Sequence, residues 1–75
     1  MSSKVQSVLL NKDKFTIRQA IDWIIEHNYV FKKIDVTDNY YRFRQISPVT
    51  LKKEKYVNYI NKQISDGIML VIAYK

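Results

Sequence analysis

The sequence predicts an α+β domain: one amphipathic helix packed on a mostly antiparallel sheet of about five strands, in the order β-α-β-β-loop-β-β. Three observations predict it. A capping box, Thr16-Ile17-Arg18-Gln19, opens a run whose apolar residues recur at helical spacing. Short runs rich in Val, Ile, Tyr and Phe lie on either side of that run. An Asp66-Gly67 pair precedes an apolar, β-branched run, which is the signature of a hairpin turn.

Residues 4–10 read as the first strand. Val5, Ser7 and Leu9 alternate with Gln6, Val8 and Leu10, so both faces carry apolar residues and the strand belongs inside the sheet. Asn11-Lys12-Asp13-Lys14 is a polar connection. The helix is expected over residues 17–27, with Phe15 placed to staple onto Ala20. Its apolar stripe is Ile17, Ala20, Ile21, Ile24 and Ile25, and Arg18, Asp22 and Glu26 lie opposite. Asn28 tolerates the left-handed conformation that ends a helix. Residues 29–36 and 40–46 read as a hairpin around the turn chemistry of Thr37-Asp38-Asn39. Pro48 ends it, because proline cannot donate to a ladder. Residues 49–62 fit two templates: a helical face of Leu51, Val57, Ile60 and Ile64, or an extended segment. The Asp66-Gly67 turn favours strands at 59–64 and 68–74, and a helix ending at Gly67 is the alternative.

The chain of 75 residues has room for one domain, spanning 1–75. A domain of this size buries only about 60–65% of its unfolded surface, so its core is thin. Without cysteine there is no disulfide, no thiolate zinc site and no cysteine nucleophile. No apolar run has the length of a signal-peptide core or a membrane span, and the missing disulfides lean toward a cytoplasmic or virion setting, so neither secretion nor a membrane is expected. The net charge of +6 favours polyanions or acidic protein surfaces, although ten lysines against three arginines suit diffuse attraction more than shaped recognition.

Little in the chain can do chemistry, and it reads as no enzyme and as holding no cofactor or metal. His27 is the one histidine, beside Glu26 at the end of the helix, where a surface position at the negative end of the helix dipole explains it. Asp35 and Asp38 flank a turn but lack a calcium-loop pattern. With Gly67 as the only glycine, no glycine-rich phosphate loop exists. The informative segment is Asn39-Tyr40-Tyr41-Arg42-Phe43-Arg44-Gln45. If Tyr41 and Phe43 pack under the helix, Tyr40, Arg42 and Arg44 form an exposed aromatic-cationic row on the opposite face. Such a row stacks bases and binds phosphates, or seats acidic groups of a protein, or pairs its arginines with neighbours such as Asp35 or Glu54. Lys52, Lys53 and Lys55 form a basic cluster beside Tyr56 and Tyr59, by default a solvated loop and otherwise a further contact for an anionic partner. Trp23 is expected in the core; exposed, it marks a contact surface.

Several of these stretches, in order, resemble a small domain of tailed-phage and related viral proteins that accompanies head-assembly modules. They are Lys4-Val5-Gln6-Ser7-Val8, Phe15-Thr16, Ala20-Ile21-Asp22-Trp23, Tyr40-Tyr41-Arg42-Phe43-Arg44-Gln45 with Pro48, and Gly67-Ile68 leading into Val71-Ile72. The Tyr-Arg-Phe-Arg-Gln block is the most specific of them. The segment 54–59 departs from the family pattern in lacking a glycine. The resemblance implies a non-enzymatic viral accessory or structural module that docks on a virion or capsid protein. The alternative is a small basic nucleic-acid-binding protein that uses Tyr40, Arg42 and Arg44.

Overall fold

A computed structural model describes residues 2–75. Its elements are β1 (Ser3–Asn11), α1 (Ile17–Glu26), β2 (Ile34–Val36), β3 (Tyr40–Arg44), α2 (Pro48–Lys53), β4 (Asn58–Ser65) and β5 (Ile68–Tyr74). The five strands form one antiparallel sheet in the order β2-β3-β1-β5-β4. The α+β class and the five strands are as the sequence predicts, and β1 is the central strand that its two apolar faces require.

The sheet has two unequal faces. On one, Val8 and Leu10 of β1, Phe43 of β3, and Ile68 and Leu70 of β5 pack with Ala20 and Ile24 of α1 into the main core. Phe15, Tyr41, Trp23 and Tyr29 are half-buried against it. The helix starts where the capping box places it: Gln19 N–H donates to Thr16 Oγ1 at 3.2 Å, and Thr16 N–H donates to Gln19 Oε1 at 2.9 Å. It ends at Glu26 with His27 as its cap, and Asn28 just beyond turns the chain off with a left-handed φ of 61°. The buried stripe is narrower than expected, because Ile17 and Ile25 are 45% and 60% exposed. On the second face α2 covers only one end, where Leu51 and Tyr56 pack on Ala73 with Ile46 beside them.

Three expectations need correction. First, the loop expected between the third and fourth strands holds a helix at its start: Ser47 caps six residues with Pro48 in the first turn, and the rest of 49–62 leads into β4. Second, the strand expected over 29–36 forms only at Ile34–Val36. Upstream, Tyr29 stacks on Trp23 with ring centroids 5.8 Å apart, and the Val30 backbone is held by a side chain. Val30 N–H donates to Gln45 Oε1 at 2.6 Å, and Gln45 Nε2 donates back to Val30 O at 3.0 Å. The Gln45 amide thus replaces a ladder partner. Third, a β-bulge between Val5 and Ser7 breaks the alternation of β1. Val5 packs with the main core, and Gln6 and Ser7 are both buried.

The β4–β5 hairpin closes through Asp66-Gly67. Gly67 has φ 79°, and its O accepts from Asn11 N–H at 2.7 Å, which ties the turn to the end of β1. A helix running to Gly67 is therefore excluded.

Candidate functional site

Tyr40, Arg42 and Arg44 lie on β3 with their side chains away from buried Phe43, as strand alternation requires. Strand pairing sets Arg42 opposite Leu9 and Arg44 opposite Ser7, so the row shares the second face with Leu9, Met69 and Val71. It is not a free cationic row. Arg42 Nε donates to Ser7 Oγ at 3.1 Å and its Nη2 to Gln6 Oε1 at 3.2 Å. Ser7 Oγ donates to the same Gln6 Oε1 at 2.6 Å, and Gln6 Nε2 donates to Ile46 O at 3.3 Å. Alternation puts Ser7 on this face with Leu9, and the β1 bulge brings Gln6 beside it, so Arg42 completes a polar cluster with two buried residues. Arg44 pairs with Asp35 at 3.5 Å and is the more exposed of the two. Glu54, the other acid considered for the arginines, instead pairs with Lys4 at 2.8 Å. That hydrogen bond to Glu54 holds the Lys4 ammonium above its ordinary pKa, partly opposed by desolvation.

Lys52, Lys53 and Lys55 are exposed at the end of α2 and just beyond it. Among the described residues none of the three has a carboxylate partner. Lys52 lines a groove with Pro48, Tyr56, Val57 and Tyr59. His27 caps α1 and stacks on Trp23 with centroids 3.9 Å apart. Its Nδ1 lies 2.8 Å from Trp23 O, which takes an N–H, so that nitrogen is the protonated one. Among the described residues no group of three metal-ligating side chains comes together, and no helix is long and apolar enough to cross a membrane.

The strand expected at 59–64 is present as β4, and the feature missed in the sequence is its open edge. The strand pairs only with β5, and its outer side is an open edge along eight residues. No residue of it is buried, and Tyr59 and Ile60 are 46% and 48% exposed. A groove flanks it on each face. On the α1 side Ile60, Ile72, Tyr74, Ser3 and Lys62 form one; on the α2 side lies the groove that holds Lys52. The signal was present: Asn58, Asn61, Lys62 and Gln63 put polar side chains on both faces, which marks an edge strand rather than an interior one. No family model, curated protein or solved structure matches this chain.

Proposed function

We propose that this chain is a non-enzymatic docking module that holds a protein partner along the β4 side of its sheet. One observation carries the reading: a long, fully exposed edge strand with apolar grooves on both faces and no covering element among the described residues. Soluble proteins ordinarily shorten, cover or bend such an edge, because its unpaired N–H and C=O groups template another strand. Here Val57, Tyr59, Ile60 and Ile64 add exposed apolar area at the same place. The viral resemblance supplies the first partner class to try, a virion or capsid protein.

The nucleic-acid reading has less support. Arg42, the middle of the aromatic-cationic row, already donates within the fold, and Arg44 is paired with Asp35. The test is a photo-crosslinking amino acid at Tyr59, with a second at Asp22 on the far side as control, in cells producing the chain. A discrete polypeptide adduct from position 59 alone is expected. Adducts with nucleic acid, or none from any position, would overturn the reading.

A further inference from the structure

The geometry points to an acidic, extended polypeptide segment as the occupant of β4, added to the sheet as a sixth strand. This inference rests on the docking reading above and names the chemistry of the partner. The backbone argues for an extended chain. Along β4 the outer N–H and C=O groups face no strand, and an added strand satisfies them in a regular ladder. Alternate side chains of that strand then fall on opposite faces, where each groove has an apolar wall. On one side the wall is Ile60, Ile72 and Tyr74; on the other it is Tyr56, Val57 and Tyr59.

Charge selects the sign. Residues 52–75 carry five lysines against two carboxylates, Glu54 and Asp66. Both carboxylates are engaged elsewhere, Glu54 with Lys4 and Asp66 with Lys14 at 3.4 Å. Lys62 in one groove and Lys52 in the other have no carboxylate partner among the described residues. The edge therefore presents one unanswered cation on each face of the strand to be added. A second copy of the chain is a poor occupant by the same argument. Two β4 strands related by a twofold axis centred at Asn61 or Lys62 bring both Lys62 side chains to the middle of the joint, and each copy adds its own +6.

The experiment is a backbone-amide NMR titration of the intact chain with blocked peptides of about ten residues, enough to span the edge. One peptide is built from Glu, Val and Ile, and a second has Lys in place of every Glu. A single-stranded oligonucleotide is the third probe. The expected result is slowed exchange and shifted resonances in β4 with the Glu peptide only, weakened about tenfold in Lys52→Glu/Lys62→Glu. Both lysines are exposed and have no carboxylate partner among the described residues, so the double variant keeps the fold, and its own spectrum checks this. Equal response to the Lys peptide, or no response in β4 to any peptide, overturns the inference. Peptide shifts confined to the open second face around Arg42 and Met69 overturn it while leaving the docking reading intact. Oligonucleotide binding without peptide binding overturns both. Protection of β4 that grows with protein concentration alone assigns the edge to a second copy, and overturns the acidic occupant.

Discussion

The guanidinium of Arg42 donates to the hydroxyl of Ser7 at 3.1 Å, from one strand to its neighbour across an otherwise open sheet face. Ser7 is fully buried and Gln6 nearly so, and Arg42 is the cation that their oxygens face. The residue with the strongest sequence signature for binding is thus committed to the fold. Arg42→Ala leaves two buried acceptors short of a donor and should lower stability by about 1–3 kcal/mol, read from urea unfolding. Arg44→Ala, which removes an exposed pair, should cost less than about 1 kcal/mol. Equal effects would show that the cluster contributes nothing to the fold.

Gly67 should resist substitution. A Cβ at this position would come 2.8 Å from Lys14 Cγ and 2.9 Å from Lys14 Cβ, and the φ of 79° is itself costly for other residues. Gly67→Ala should destabilise the chain by about 1–2 kcal/mol, and more if Lys14 fails to move. A drop in thermal midpoint is the readout, and an unchanged midpoint would contradict the turn geometry.

The capping box at Thr16 and Gln19 should be worth about 1 kcal/mol, measured as the loss in Thr16→Ala by urea unfolding. Thr16→Ser retains the hydroxyl acceptor and should recover most of it. A serine variant as weak as the alanine one would assign the loss to the methyl group instead.

The Gln45 clamp makes a local prediction. In Gln45→Ala the Val30 amide loses its acceptor at 2.6 Å, and its hydrogen exchange should accelerate while that of Leu10 and Phe43 stays slow. Acceleration of all three together would mean that Gln45 supports the main core rather than one loop.

The Lys4–Glu54 pair carries a sign in pH. The folded-state pKa of Lys4 lies above the ordinary value of 10.5, so the pair's contribution is fully present below that value. It is lost as pH rises through the folded-state value. Wild type and Glu54→Gln should therefore differ in urea midpoint at neutral pH and converge in strong alkali. A difference that persists there would not be electrostatic.

What was legible in the sequence followed the range of each interaction. The α1 cap and stripe are local, so Thr16 to Asn28 could be read directly. The Asp66-Gly67 turn favoured the last hairpin over a helix ending at Gly67 for the same reason. The α2 helix was obscured because it has under two turns and only Leu51 of it is buried, too few positions to show a period. Tyr29, Val30 and Phe31 are good strand formers, but propensity does not supply a ladder partner, and Gln45 takes the place of one. Alternation put Tyr40, Arg42 and Arg44 on the correct face. That Gln6 would join Ser7 beside Arg42 there depends on the β1 bulge, a feature set by pairing between distant segments. The open side of β4 was visible as polar residues on both faces, but that pattern says nothing of whether another element covers it.

The sheet's two outer strands differ greatly in length, three residues in β2 against eight in β4. That inequality makes the fold a terminus and not a link in a polymer. Fibre growth needs each added unit to present, on its far side, a template as good as the one it consumed. A copy captured through β4 would show its neighbour only the short β2 side. Crowded solutions of this chain should therefore grow no fibres and stay clear, even though no other strand of the fold shields its most adhesive one.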